Sequence, residues 1–261
     1  PMTRPLHLTI LHSNDVHGRV HQLSRIATRV RQIRQEVQES GSQCLYLDAG
    51  DSEDTTLVES ALSRGTTMNV LLRAAGCDQA ALGNAIPVRY GPQAVESLAQ
   101  ALGKPLLCAN LFTPQGDLLP GTTPYQLVDL DGHAIAIIGF TAPMSFYTRF
   151  FKYPAYDPIA LMPELIARAR ADGAKTVIAL THIGSKHDIQ LAQDVPGIHL
   201  IVGGHDHQRI SPPMVINNTL IVQSGEYGEM LGRLDLVIDR ASGRIDEYSG
   251  VLLPIGEEIA E

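Results

Sequence analysis

The chain of 261 residues contains no tryptophan, and aromatics of all kinds make up 5% of it. Cysteine is scarce: Cys44, Cys77 and Cys108 are scattered, with no CxxC pair among them. They read as buried free thiols, and an odd, unspaced count points to a reducing compartment. No apolar run reaches the roughly 18 residues that a membrane-spanning helix needs. Positive charge is in deficit, with 20 Lys and Arg against 28 Asp and Glu and a net charge of −8. There is no basic run and no interleaving of basic and aromatic residues, which argues against a nucleic-acid duplex as partner. An acidic chain still accepts anionic substrates where bound cations reverse the local field.

Hydrophobic residues make up 44% of the chain, enough for one large α/β domain. LHLTILH (6–12) is a β-favouring run ending at Ser13-Asn14-Asp15. Ile26, Val30, Ile33 and Val37 recur at helical spacing over 24–40. QCLYLDAGD (43–51) is a strand broken at Gly50, 56–75 is helical with an interruption at Gly65, and AALG (80–83) is a short strand. Gly91-Pro92 opens a helix to Leu102, and PLLCANL (105–111) reads as a strand. Asp131-Gly132 predicts a hairpin, and Asp157 caps a helix that ends before Gly173. TVIALTH (176–182) and GIHLIVGGH (197–205) are buried strands, and the runs after 212 read as successive hairpins. The sum is a mixed β core, two sheets face to face with helices outside, in a single domain over 1–261.

Chemistry-bearing residues follow five of these apolar runs: Asp15 and His17, Asp51, Asn84, His182, then His205 and His207. A DxH or a Gly-Asp alone is an ordinary turn. The ordered set at strand ends, where α/β sheets build active sites, carries the argument. Carboxylate, imidazole and carboxamide donors without thiolate suit two divalent ions among Mn, Zn, Fe and Co. Asp51, whose loop lies between the others in sequence, is the expected bridging ligand. Two ions about 3.5–4 Å apart activate a water and clamp a phosphoryl group. His187 and Arg89 are further candidates, for proton transfer and for anion binding. Glu53 and Asp54 are expected on a solvated loop, Asn14 as support for the DxH loop, and His7, His12, His21, His133 and His199 as core or surface residues.

The set D-x-H, G-D, G-N, H, G-H-x-H resembles the calcineurin-like metallophosphoesterase superfamily. More narrowly, ILHSNDVHG, DAGD, ALGN, LTHIG and IVGGHDH resemble the catalytic domain of bacterial 5′-nucleotidases and UDP-sugar hydrolases, over nearly the whole chain. The resemblance implies a four-layer αββα sandwich. It implies one ion on Asp15, His17 and His207, a second on Asn84, His182 and His205, and Asp51 between them, with Asp51 and Asn84 at the reacting centre. The family continues G-N-H-E-F-D-Y-G, whereas this chain reads Gly83-Asn84-Ala85-Ile86-Pro87-Val88-Arg89-Tyr90-Gly91. The histidine that assists the leaving group is Ala85 here, and its carboxylate partner is absent too. Pro87 is expected to hold the preceding backbone extended.

The implied function is a dinuclear metal-dependent phosphoesterase acting on a diester, an activated monoester or a related small nucleotide. The alternatives are a sulfur-ester hydrolase on the same scaffold, or a metal- and phosphate-binding protein with little turnover. The family's C-terminal nucleoside-binding domain would begin after GEEIAE, so the chain is expected to be the catalytic domain alone. No membrane partner is expected. The start, PMTRPLHLTILH, shows no leader, so the expected location is cytoplasmic, or periplasmic or secreted if a leader has been trimmed.

Overall fold

The computed structural model describes residues 4–260; residues 1–3 and 261, which the single expected domain includes, lie outside the described residues. Thirteen strands form two large sheets and one small one among these residues. The first sheet has the order β13 (Ile245–Pro254), β12 (Met230–Ile238), β1 (Leu6–Ser13), β2 (Gln43–Asp48), β3 (Gln79–Ala80). β1, β2 and β3 are parallel, while β12 is antiparallel to both β1 and β13. The second sheet runs β10 (Arg209–Ile216), β11 (Thr219–Ser224), β9 (Leu200–Val202), β8 (Thr176–His182), β7 (His133–Thr141), β6 (Tyr125–Leu130). Its central strands β7, β8, β9 and β11 are parallel. A third pair, β4 (Leu106–Leu107) with β5 (Thr122–Thr123), is two residues deep.

Alternation builds the layers. Leu8, Ile10, Leu45 and Leu47 of the first sheet meet Ile135, Ile137, Ile178, Leu180, Leu200 and Val202 of the second in one buried layer. The opposite face of the first sheet, with Leu11 and Tyr46, is covered by α1 (Val20–Glu39), α3 (Thr66–Ala74) and α5 (Val95–Leu102). The opposite face of the second is covered by α6 (Pro158–Ala171) and α7 (Ser185–Asp194). That is the αββα sandwich. On α1 the buried stripe is Leu23, Ile26, Val30, Ile33 and Val37, the helical period read from sequence with one residue added. The β6–β7 hairpin turns through Asp131 and Gly132, both at positive φ, as an Asp-Gly turn requires. Asp157 accepts the Ile159 amide at 2.9 Å and caps α6. No helix of the described residues is long and apolar enough to cross a membrane.

Two readings are corrected. The run 105–111 is a strand only at Leu106–Leu107. Beyond it the backbone is tied by side chains: Asn110, fully buried, donates to the carbonyls of Thr141 (2.8 Å) and Tyr156 (3.1 Å) and accepts from the Thr141 amide (3.0 Å). The late hairpins form as expected, β10 with β11 and then β12 with β13, and they divide between the sheets, β10–β11 extending the second sheet and β12–β13 the first. Periodicity reports a strand's faces and cannot tell which sheet it joins. Cys77 and Cys108 are buried free thiols, but Cys44 is only half-buried.

Asn110 anchors the end of β7 at the level of His182, its partner across the ladder from Thr141. Asn110→Leu is expected to cost about 3 kcal/mol, because it leaves two carbonyls and one amide unpaired in the interior. A urea midpoint giving less than about 1 kcal/mol would contradict this account.

A candidate dinuclear metal centre

The ligand loops meet because β1, β2 and β3 run parallel in one sheet, β8 and β9 in the other, and all end at the same edge. Backbone bonds then stitch loop to loop. Asp15 and His17 donate amides to the carbonyls of Gly50 (2.9 Å) and Asp51 (3.0 Å), and Gly184 donates to Gly204 (3.1 Å). Two glycines make this close approach possible. A Cβ on Gly83 would stand 2.1 Å from Asp51 Oδ1, and one on Gly204 would stand 3.0 Å from His182 Nδ1 and 2.9 Å from the Ala49 carbonyl. The motif glycines are therefore demanded by packing.

Asp15, His17, Asp51, His205 and His207 all adopt positive φ, between 48° and 88°. Non-glycine residues there cost of order 1 kcal/mol each and persist where the surroundings over-determine them. The surroundings here are explicit. Buried Asn14 donates to Asp15 Oδ2 (2.8 Å) and to the Gly225 carbonyl (2.6 Å), and accepts from the amide and hydroxyl of Ser224 (2.9 and 2.6 Å). The His205 amide also donates to Asp15 Oδ2 (2.8 Å).

Among the described residues, two groups of three ligating atoms lie mutually within 4.8 Å: Asp15, His17, His207 and Asp15, Asp51, His182. Asp15 Oδ1 is 3.5 Å from His17 Nε2, 3.4 Å from His207 Nε2 and 3.9 Å from His182 Nε2. His17 and His207 face each other Nε2 to Nε2 at 3.2 Å. In the inner group, His182 Nε2 lies 3.1 Å from Asp51 Oδ2 and 3.2 Å from Asn84 Oδ1. His205 falls outside both groups, with its ring edge-on to His182 at 5.1 Å. The geometry thus puts Asp15 in both groups and Asp51 in the inner one only, with Asp51 Oδ1 accepting the Ala85 amide at 2.9 Å.

Asp15 Oδ1 is buried and accepts no hydrogen bond. A carboxylate oxygen withheld from every donor, among convergent imidazole nitrogens, fits a cation held between them. The oxygen and nitrogen donor set fits a first-row divalent ion. Without an ion, protons take that part. Burial alone would lower the His182 pKa, but the Asp51 and Asp15 carboxylates outweigh it and push it up to about 10. His17 is raised against burial by Asp15 and Asp51, and His207 is raised chiefly by Asp15. Burial would raise Asp15, but the imidazoles of His17, His207 and His182 close around it hold it far below the carboxylate range.

Several sequence candidates are placed elsewhere. His187 is exposed on α7, with Nδ1 2.9 Å from the Ile183 carbonyl, and lines a separate cavity of about 400 Å³ with Pro143 and Asp157. Arg89 is exposed on α4 (Ala85–Tyr90) and forms no ion pair among the described residues. Asp54 does lie on a loop, where its Oδ1 accepts from Thr56 and Leu57 in a tight turn. Glu53 does not: it is 6% exposed, bonded by Asn69, and raised in pKa by burial and Asp51. Helix α3 folds over that loop, a contact that local polarity does not report. The stretch before Pro87 is helical rather than extended. Pro87 is the third residue of α4, in a first turn whose amides have no helical acceptor, so the imide removes no bond. Two residues went unnoticed in the sequence: Glu226, 2.6 Å from His207 Nδ1, and Tyr227, whose ring lies 6.0 Å from those of His17 and His207. Their signal was the turn SGEYG between two strands.

An ion bound at this candidate site would have to displace the proton of His182 and compete for those of His17 and His207. Affinity should therefore rise with pH, since each imidazole binds metal only when neutral. Mn2+ titrations from about pH 6 to about pH 8 are expected to show tightening of at least about tenfold, with proton release near neutrality. An affinity flat in pH would mean that His182 is not a ligand.

No protein-family model matches the chain. Over 297 residues it is 28% identical to the 5′-nucleotidase of Bos taurus, covering 97% of this chain and 50% of that protein. It is also 28% identical over 296 residues to the trifunctional nucleotide phosphoesterase protein YfkN of Bacillus subtilis, covering 97% of this chain and 20% of that protein. The chain thus spans between a fifth and half of these relatives. The solved NAD nucleotidase of Haemophilus influenzae shares the fold at a TM-score of 0.83 and 22% identity, over 97% of this chain and 51% of that one. Joined to the ordered D-x-H, G-D, G-N, H and G-H-x-H loops, these likenesses make the chain a homologue of 5′-nucleotidases and calcineurin-like phosphoesterases.

Proposed function

We propose that this chain is a metal-dependent phosphoesterase. Its two divalent ions are held by Asp15, His17 and His207 on one side and by Asp51, Asn84, His182 and His205 on the other. The observation that carries the reading is Asp15 Oδ1, buried, without a donor, and common to both groups of ligating atoms. When bound, such ions supply Lewis-acid charge to phosphoryl oxygens and an activated water. The relatives named for nucleotidase activity favour a nucleotide or a similar small phosphorylated molecule as substrate.

The chain's own residues orient and hold. Asn14 and the His205 amide saturate Asp15 Oδ2 and so turn Oδ1 inward. The Ala85 amide holds Asp51. Nothing at position 85 can hand a proton to the leaving group, and neither Arg89 nor His187 stands among the ligands. Such a proton is worth about 10²–10⁴-fold. Substrates whose leaving group departs unprotonated are therefore favoured: aryl diesters and activated monoesters.

Metal-free protein is expected to be inactive on bis(4-nitrophenyl) phosphate and to recover with Mn2+. The nitrophenyl esters should exceed AMP in kcat/KM by at least about 10²-fold. No metal-dependent hydrolysis of either would overturn the assignment, and equal rates would mean that another acid has taken the histidine's place. Ala85→His is expected to gain less than about tenfold, since a lone imidazole lacks the partner that fixes its aim. Adding Val88→Asp, one turn along the same face of α4, should gain more. A single-change gain near a thousandfold would contradict this.

A further inference from the structure

The two ligand groups differ in what stands behind their imidazoles. His182, fully buried, has Nδ1 2.8 Å from the Ala49 carbonyl, a backbone acceptor fixed by β2 and its loop. His207 is 32% exposed at the rim, and its Nδ1 lies 2.6 Å from Glu226 Oε2, itself on a 35% exposed side chain. We infer that Glu226 is a positioning residue of the outer ion site: it fixes the Nδ1–H tautomer of His207, aims its Nε2 at the ion, and governs how tightly that site alone is filled. The inference rests on the metal-centre reading above.

The geometry supports this in two ways. First, the Glu226 carboxylate is delivered by a turn with little freedom. Ser224 is bonded to Asn14 through both amide and hydroxyl, the Gly225 carbonyl accepts from Asn14, the Gly225 amide donates to the Gln208 carbonyl (2.9 Å), and the Tyr227 amide donates to the Asp15 carbonyl (2.7 Å). One turn thus grips the loops of both Asp15 and His207 and presents Glu226 from a rigid base. Tyr227 holds φ +57° in doing so. Second, with Nδ1 donating to Glu226, His207 Nε2 carries a lone pair. It faces Asp15 Oδ1 at 3.4 Å and His17 Nε2 at 3.2 Å. With both imidazoles neutral and Nε2 unprotonated, these three atoms converge as donors to a cation, and a carboxylate behind the His207 imidazole makes it a stronger donor. The inner group has no carboxylate at the corresponding place, because His182 leans on a peptide carbonyl. Loss of Glu226 should therefore divide the two sites.

The test is titration of metal-free protein with Mn2+, counting free ion by electron paramagnetic resonance, for the unaltered protein, Glu226→Ala and Glu226→Gln. Two binding steps are expected in the unaltered protein. Glu226→Ala should weaken the looser step by about 10–100-fold and leave the tighter one within about twofold. Glu226→Gln retains an acceptor without the charge and should fall between the two. The thermal midpoint of the metal-free variants should match the unaltered protein, since the turn is held by backbone and Asn14 bonds that neither change removes. Unchanged affinity in Glu226→Ala would overturn the role, as would equal loss at both sites or a lowered metal-free midpoint, each of which would mark Glu226 as a support of the turn. Failure of the unaltered protein to bind Mn2+ would instead sink the metal-centre reading, and this role with it.

Discussion

The architecture of the site depends on how the Asp15 carboxylate is partnered. One of its oxygens is saturated by Asn14 and the His205 amide; the other is buried among imidazoles with no donor. That asymmetry fixes the direction of the free oxygen and joins the loops after β1 and β9, which lie in different sheets. It also ties in the turn after β11, through Asn14 and the Tyr227 amide. A carboxylate of this kind is unfavourable in the interior unless something positive faces it. In the metal-free chain the neighbouring imidazolium groups serve. The same convergence that destabilises the isolated carboxylate is what makes it a candidate ligand.

Strain and close packing have the same origin. Bringing side chains from several strand ends to one point leaves little room for backbone between them. Five of the seven candidate ligands take positive φ, and glycine stands wherever a Cβ would strike a neighbouring loop, as at Gly83 and Gly204. The rest of the fold supplies the restraint. The inter-sheet layer of Leu, Ile and Val holds the strand ends in register, and Asn110 pins the end of β7 beside His182. Stability here is spent on geometry at one edge.

At position 85 the chain departs from the G-N-H-E pattern of the family it resembles. Helix α4 begins there, Pro87 sits in its first turn, and the Ala85 amide is bonded to Asp51. The backbone there clamps the Asp51 carboxylate through the Ala85 amide, and the side chain at this position is a methyl group. Buried Glu53, two residues beyond Asp51 and bonded by Asn69, lies in the same loop, its pKa raised by burial and by Asp51. The raised His182 pKa comes from Asp51 and Asp15, which outweigh its burial.

The sequence by itself determined the elements with strong periodicity and the ordered set of strand-end residues. The α1 stripe, the Asp131-Gly132 turn and the Asp157 cap follow from local rules that depend only on neighbours. The run of D-x-H, G-D, G-N, H and G-H-x-H was legible because each follows an apolar stretch. What lay outside local rules waited for the tertiary structure: that the late hairpins join different sheets, that Glu53 is buried under α3, that Asp15 is common to both ligand groups, and that Glu226 backs His207. Each of these depends on contacts between residues distant along the chain. The distance from Asp15 Oδ1 to His207 Nε2 is set by the packing of two sheets, and no window of neighbouring residues contains it.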